Sequence, residues 1–161
     1  MSLERTAPGF HARKSAASKI YRYTIVNAPQ VSPFVRRYVL HVPQPLNVGA
    51  MRKAAPLFVR EADFTAFSSN REYHPVRKVL RAGIRKSGDE IVFTIEANGF
   101  LRYMVRTIVG TLLEVGRGKI PPERVEVLFR EKIRSLRSPT APSRGLCLLK
   151  VVYPPSASPM T

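Results

Sequence analysis

Residues 99–118, GFLRYMVRTIVGTLLEVGRG, carry the clearest periodic pattern in the chain. Their apolar side chains recur at alternating spacings of three and four residues, which predicts an amphipathic helix with one wide apolar face. Gly116 and Gly118 predict its end, because glycine tolerates the left-handed backbone conformation that follows many helices. The apolar positions are Leu101, Met104, Val105, Ile108, Val109, Leu112 and Leu113.

Arg102, Arg106 and Gly110 form a second, narrower face of this helix, because they follow one another at a spacing of four residues. Glycine has no side chain, so we expect Gly110 to leave open space one turn beyond the Arg106 guanidinium. The pattern fits a core helix with a solvated arginine. It also fits an arginine that is held on a rigid element and points into a cleft, and periodicity alone leaves both interpretations open.

The chain carries a large excess of positive charge. Its 161 residues include 27 lysines and arginines against 11 aspartates and glutamates, a formal net charge of +16. Such an excess on a folded chain favours a polyanionic partner, most often a nucleic acid, and arginine suits bidentate phosphate contacts. A generic basic protein is the alternative. The hydrophobic content of 44% predicts a globular domain rather than a disordered segment.

Residues that bind metals or form disulfides are scarce. Cys147 is the only cysteine, and the histidines His11, His41 and His74 are far apart in the sequence, so we expect neither a disulfide nor a metal site. No apolar run approaches the roughly 18 residues of a membrane span. Residues 1–20 are polar and basic, unlike a signal peptide. These features predict a soluble, cytoplasmic protein.

The remaining pattern predicts an α+β domain of hairpin-linked, largely antiparallel strands, with helices packed on one face. Helices are predicted at residues 48–60, where Pro56 is expected to kink or shorten the helix, and at residues 121–132. We expect residues 1–8 to be a tag or disordered lead, residues 9–155 the domain, and residues 156–161 a tail. Strands are predicted at residues 19–26, 37–42, 76–85, 91–97 and 145–153.

The strand predicted at residues 76–85 is strongly basic. Strict alternation puts Leu80, Ala82 and Ile84 on its inner side and three arginines on its outer side. Those arginines form either a solvated sheet face or a track for a phosphate backbone. They are Arg77, Arg81 and Arg85. The turn at Asp89 then returns the chain as a hairpin.

The stretch FLRYMVRTIVGTLLEVGRG at residues 100–118 resembles the hallmark helix of the TruA family of tRNA pseudouridine synthases. Other segments match that family in the same order, and the resemblance covers residues 9–155. It implies a pseudouridine-synthase-like fold with a mostly antiparallel mixed sheet. The segments are FHAR at 10–13 with SA at 15–16, KIYRY at 19–23, DFTAF at 63–67, TAPSRGL at 140–146 and VVYP at 151–154.

The resemblance implies isomerisation of uridine to pseudouridine in the tRNA anticodon stem-loop, without a cofactor. Arg106 falls on the family arginine that pairs with the essential aspartate and keeps it ionised. Tyr21 falls on a tyrosine that lies against the target base and is a candidate acceptor of the C5 proton. Leu146 falls on an apolar residue on the other side of the base. The resemblance also implies that Phe10, His11 and Arg13 contact RNA or shape the rim of the cleft.

One departure from the family is decisive for activity. The family's aspartate lies in a motif of the type RTDAGVH, which this sequence lacks, and neither Asp63 nor Asp89 can replace it. The chain therefore resembles the C-terminal portion of such an enzyme, and we expect it to bind tRNA weakly without catalysis on its own. The alternative is a non-catalytic tRNA-binding or dimerisation module. The resemblance further implies a homodimer.

Overall fold

The computed structural model describes residues 9–69, 74–132 and 139–154. These ranges hold six strands, three α-helices and three short 3-10 turns. The strands are β1 (Ser18–Val26), β2 (Leu40–His41), β3 (Glu61–Asp63), β4 (Val76–Ser87), β5 (Glu90–Ala97) and β6 (Leu146–Val152). The helices are α1 (Val48–Ala54), α2 (Met104–Gly116) and α3 (Arg124–Glu131).

The strands form one mixed sheet in which β1 has partners on both sides. The order is β2-β1-β5-β4-β3, and β6 also pairs with β1. The β1–β2 pair is parallel, whereas β1 pairs antiparallel with β5 and with β6. β6 lies against the first part of β1 and β2 against its end, so these two strands share one edge of β1.

The hydrophobic core lies between the sheet and the helices. Alternate side chains of β1 and β5 enter it, and α2 supplies most of its helical part. The buried strand residues include Tyr23, Ile25, Ile91, Phe93 and Ile95. The predicted α+β class, a mostly antiparallel mixed sheet with helices on one face, is confirmed. Within the described ranges, no helix is both long and apolar enough to cross a membrane.

The helix predicted at residues 99–118 is shorter and more deeply buried than its pattern suggests. α2 begins at Met104, because Tyr103 has a left-handed backbone with φ 62°. It ends at Gly116, and Gly118 follows with φ 70°, as expected for a helix stop. Every residue of α2 except Arg106 is buried. The seven predicted apolar positions are all buried, but so are the other positions of α2 apart from Arg106, since the chain covers α2 on nearly all sides.

Prolines shorten two other predicted elements. The helix predicted at residues 48–60 ends at Ala54 and continues as a 3-10 turn over Ala55–Phe58 that contains Pro56. The helix predicted at residues 121–132 begins only at Arg124, after both prolines. The strand predicted at residues 37–42 is also shorter in the structure, where β2 spans only Leu40–His41.

A β-bulge in β4 breaks the alternation expected at residues 76–85. The register with β5 shifts between Val79 and Arg81, so Val79 is buried and Leu80 is 40% exposed. The prediction that Leu80 faces inward was wrong for this reason. The predicted lead at residues 1–8 and the tail at residues 156–161 lie outside the described residues.

Candidate active site

A small pocket opens between β1, the start of α2 and the start of β6. Its volume is about 120 Å³. It contains Tyr21, Arg106 and Leu146, three residues that are far apart in the sequence. The remaining lining residues are Phe100, Leu101, Tyr103, Met104 and Val105.

Tyr21 is fixed on the helix-facing side of the sheet. It pairs with Ile95 of β5 on one side and with Leu148 of β6 on the other. Its ring meets the Phe100 ring edge-on, at 5.0 Å between centroids and 84° between planes. This contact and the paired strand hold the half-buried phenol at the pocket.

Arg106 is the one residue of α2 that is not buried, and the chain holds it from two directions. Its Nε donates to the carbonyl oxygen of Ala141 at 2.6 Å, and its own carbonyl oxygen accepts from the Ala141 N–H at 3.0 Å. Its Cζ lies 4.6 Å from the centroid of the Tyr103 ring. Among the described residues, no carboxylate lies within 4.0 Å of it. The guanidinium charge is therefore fixed at the pocket without an acidic partner from these ranges.

Gly110 does not leave open space beside Arg106, as the sequence suggested. A Cβ atom at Gly110 would lie 1.6 Å from the carbonyl oxygen of Pro139. The backbone of Pro139 to Ala141 fills that space and supplies the carbonyl that binds Arg106. Gly110 thus permits a close backbone approach that positions the arginine.

Tyr103 is a site residue that the sequence reasoning missed. Its left-handed backbone is unusual for a residue with a side chain, and such conformations cluster at functional sites. Its ring also faces the Arg102 guanidinium, whose Cζ lies 5.3 Å from the centroid. A hydrogen bond from Arg102, the charge of Arg102 and the nearby Arg106 lower the pKa of the Tyr103 phenol. The available signal was a tyrosine between two arginines just before the helix.

Tyr23 has a structural role in the site. It is fully buried, and its hydroxyl donates to the carbonyl oxygen of Pro142 at 2.6 Å. Burial raises the pKa of Tyr23 to about 12, although the charges of Arg106 and Arg144 oppose the rise. Gly145 packs closely here, since a Cβ would lie 2.7 Å from the Thr24 carbonyl oxygen. These contacts place the next residue, Leu146, opposite Tyr23 at the pocket.

The structure places the predicted RNA-contacting residues of the N-terminal segment outside this pocket. Phe10 packs against Tyr153 at 5.0 Å between ring centroids. The ring of His11 accepts the backbone N–H groups of Arg13 and Lys14 through Nδ1, at 3.2 and 3.4 Å. Arg13 itself lines a neighbouring recess.

The three arginines of β4 do not share one face. The bulge at Leu80 turns Arg77 toward the helix side of the sheet, where it lines the same recess as Arg13. Arg81 lies on the opposite face, 3.9 Å from a carboxylate oxygen of Glu96, and Arg85 lines a groove there with Arg22. The expectation of a single three-arginine track was therefore wrong.

Neither aspartate of the chain reaches the pocket, as expected from the sequence. Asp63 accepts hydrogen bonds from the backbone N–H and the hydroxyl of Thr65, and it lies 3.2 Å from Lys132. Asp89 lies in the hairpin turn between β4 and β5. In the ranges that the structure describes, no group of three or more histidine, cysteine, aspartate or glutamate residues could hold a metal ion.

The pocket has the chemistry of a site for a flat, uncharged ring beside an anion. Its walls are aromatic and aliphatic, and its charged group is one fixed guanidinium. Aromatic and apolar walls suit a base that has left its stack. The guanidinium suits a carboxylate, which it can bind through two parallel hydrogen bonds.

Comparisons with known proteins identify the family of this chain. A family model described as tRNA pseudouridine synthase matches residues 54–154. A protein named tRNA pseudouridine synthase A from Moorella thermoacetica is 44% identical over 149 residues, which cover 91% of this chain and 61% of the relative. Its namesake from Brevibacillus brevis is 44% identical over 154 residues, covering 94% of this chain and 63% of the relative.

A third relative of the same name, from Syntrophotalea carbinolica, is 43% identical over 148 residues, which cover 91% of this chain and 59% of the relative. The chain thus spans about 60% of the length of these curated relatives. Since the family model covers more than half of the chain, and includes Arg106 and Leu146, this protein belongs to the tRNA pseudouridine synthase family.

Proposed function

We propose that this chain provides the base pocket and the arginine of an enzyme that isomerises uridine to pseudouridine in the tRNA anticodon stem-loop. The observation that carries the proposal is the convergence of Tyr21, Arg106 and Leu146 in one pocket. Family membership supports the reaction class, and the net charge of +16 supports an RNA substrate.

The main requirement of the reaction is that the enzyme binds the detached uracil and reorients it. The bond between N1 of uracil and C1′ of ribose breaks, the uracil turns, and a bond forms between C5 and C1′. The proton on C5 leaves and N1 gains one, so the product is an isomer and no electrons are exchanged with a cofactor. Tyr21 and Leu146 are proposed to hold the two faces of the base, with the Tyr21 phenol as the candidate acceptor of the C5 proton.

Arg106 is proposed to hold the carboxylate that begins the reaction. Its Nε is already bound to Ala141, so the guanidinium plane is fixed before any acidic partner arrives. A carboxylate beside it would stay ionised. Neither Asp63 nor Asp89 lines the pocket, and the sequence lacks the motif that carries the family's aspartate. We propose that the carboxylate comes from the part of the relatives' length that this chain does not span.

Three further properties are proposed on the resemblance to the family. The protein is proposed to act in the cytoplasm, on tRNA, and as a homodimer. The sheet face away from the helices carries a groove with Arg22, Gly83 and Leu149, which is the surface proposed for the contact between subunits. Light scattering after gel filtration measures the mass in solution, and a monomer at all concentrations would contradict the dimer.

The reaction can be tested with tRNA that carries tritium at C5 of uridine, since pseudouridine formation releases this tritium. The chain alone is expected to release none. A hybrid, in which the part of the Moorella thermoacetica relative that lies outside the match is joined to this chain, is expected to release tritium. Arg106→Ala in the hybrid should abolish release, whereas Arg52→Ala, at an exposed position of α1, should preserve it.

Release by the isolated chain would refute the external carboxylate. An active Arg106→Ala hybrid would refute the role of Arg106. A folded but inactive hybrid that still binds tRNA would favour the alternative of a non-catalytic tRNA-binding module.

A further inference from the structure

A second recess adjoins the base pocket and is lined by positive side chains. It has a volume of about 310 Å³. Phe100 lines both the recess and the pocket, so the two cavities adjoin each other at this residue. The other side chains at the recess are Arg13, Lys14, Lys19, Arg77 and Asn98.

The four cations of the recess have no acidic partner among the described residues, where no carboxylate lies within 4.0 Å of any of them. Cations elsewhere in these ranges do pair with acids. Arg117 and Lys119, for example, both contact Glu114. Like charges repel at short range, so four cations that have no acidic partner among the described residues favour an anion in the recess between them.

Two strands hold two of these cations in place. Lys19 lies in β1 and pairs with Ala97 of β5, which fixes its backbone in the sheet. Nη1 of Arg77 donates to the carbonyl oxygens of His74 and Val76, each at 2.7 Å. Gly99 borders the Arg77 side chain, since a Cβ there would lie 3.5 Å from Nε.

Arg13 and Lys14 reach the recess from a turn that is organised by its own side chains. Nδ1 of His11 accepts both of their N–H groups, and the N–H of His11 donates to the Ser15 hydroxyl at 3.0 Å. His11 therefore shapes the turn that carries the two cations.

We propose that this recess binds one backbone phosphate of the tRNA, next to the nucleotide whose base enters the pocket. The inference rests on the proposed function, because it takes the pocket as the base site. Arginine and lysine bind phosphate through charge-assisted hydrogen bonds, and contacts to the phosphate backbone set the register of a nucleic acid on a protein. Phosphate bound on one side of Phe100 would place the adjoining base on the other side.

The proposal gives Arg77 a different role from Arg81 and Arg85. The bulge in β4 separates it from these two arginines and turns it to the side of the sheet that carries Tyr21. The phosphate contact therefore lies beside the base pocket rather than along the outer face of the sheet.

The first test measures binding of a fluorescent anticodon stem-loop RNA to the full chain by anisotropy, at several salt concentrations. Arg77→Gln and Lys19→Gln are expected to weaken binding several-fold and to lower the slope of log Kd against log salt by about one. Arg77→Lys should recover part of the affinity because it restores the charge.

Arg52→Gln is the matched control. Arg52 is exposed on α1 beside Ile84, which lies seven residues along β4 from Arg77, roughly 20 Å away. This variant removes one positive charge at a distance and should change affinity and slope less than Arg77→Gln. Equal effects of the two variants would overturn the recess as a specific site.

The second test locates the phosphate. A series of stem-loop RNAs carries one neutral methylphosphonate linkage each, at successive positions of the loop. The wild-type chain is expected to lose affinity when the neutral linkage adjoins a uridine. For Arg77→Gln, the neutral linkage at that one position should leave the affinity unchanged, whereas neutral linkages elsewhere should affect the variant as they affect the wild type. A variant that remains as sensitive as the wild type at every linkage would overturn the proposal.

A Tyr21→Ala variant separates failure of this inference from failure of the proposed function. If Tyr21→Ala weakens RNA binding and Arg77→Gln does not, the base pocket stands and the phosphate site is wrong. If the wild-type chain binds no stem-loop RNA, both are wrong. Circular dichroism of each variant verifies that the chain remains folded.

Discussion

The backbone carbonyl oxygen of Pro139 lies 1.6 Å from the position that a Cβ atom on Gly110 would occupy. The segment that follows binds Arg106 through the N–H and the carbonyl of Ala141. The absence of a side chain at one position of α2 therefore determines how the arginine one turn earlier is held. The site depends on this close approach as much as on the arginine itself.

Gly110→Ala should destabilise the protein and loosen Arg106. Alanine favours a helix over glycine by about 1 kcal/mol, but the clash with Pro139 should cost about 2 to 3 kcal/mol or more, so the clash dominates. Urea unfolding measures the change, and RNA binding should fall with it. Gly83→Ala is the control, because a Cβ at Gly83 meets nothing within 4 Å. Equal stability of the two variants would contradict the described packing.

Arg106→Lys tests whether a positive charge alone is sufficient at the site. Lysine keeps the charge but lacks the Nε–H that binds Ala141 and the planar group that lies near Tyr103. We expect the variant to fold, while the hybrid enzyme loses at least about 100-fold in rate, since misplacement of a reacting group carries such a cost. Tritium release measures the rate, and a hybrid with near-normal turnover would show that geometry at Arg106 is unimportant.

Tyr103→Gly and Tyr103→Ala should separate backbone strain from the function of the ring. Both variants remove the ring from the Arg106 guanidinium, but only glycine adopts φ 62° without steric cost. Tyr103→Gly should therefore unfold at a higher urea concentration than Tyr103→Ala, the reverse of the usual order for these residues. Both should bind RNA less tightly than the wild type. The usual order, with alanine the more stable, would argue against a left-handed residue at this position.

Tyr23 should make stability fall at high pH. Its folded pKa of about 12 lies above the ordinary tyrosine pKa of 10.0, so the unfolded chain releases this proton first as the pH rises. Its contribution is complete below pH 10 and is lost between about pH 10 and 12, by roughly 2 to 3 kcal/mol at one pKa unit per 1.36 kcal/mol.

Tyr23→Phe should remove this part of the pH dependence. It should also cost about 1 kcal/mol at pH 7, because the Pro142 carbonyl loses its hydrogen bond. The readout is the difference in unfolding free energy between wild type and variant across the pH range, because lysines titrate in both proteins. A constant difference from pH 8 to pH 12 would contradict the raised pKa.

Local patterns predicted the elements of the fold but not their irregularities. Alternation identified β4, yet nothing in residues 76–87 marks the bulge at Leu80, because the bulge depends on how β4 pairs with β5. Proline marked a weak point near Pro56, and the helix does end just before it. The burial of α2 could not be predicted from its own residues. It depends on the backbone of Pro139 to Ala141, which lies much further along the chain.

The candidate site could be predicted only in part. Resemblance indicated Tyr21, Arg106 and Leu146, and the structure brings all three to one pocket. Tyr103 was missed because tyrosine as a residue type does not indicate a left-handed backbone. Arg77 was assigned to the wrong surface because one extra residue in a strand reverses which face the next side chains take.

The place of β6 in the sheet has a consequence for protein synthesis. Leu146 reaches the pocket because β6 pairs with β1, a strand that is made well before β6. While the ribosome still covers β6, the nascent chain has Tyr21 and Arg106 but lacks Leu146, which forms one wall of the proposed base pocket. The proposed base pocket is therefore complete only after β6 has emerged from the ribosome and paired with β1.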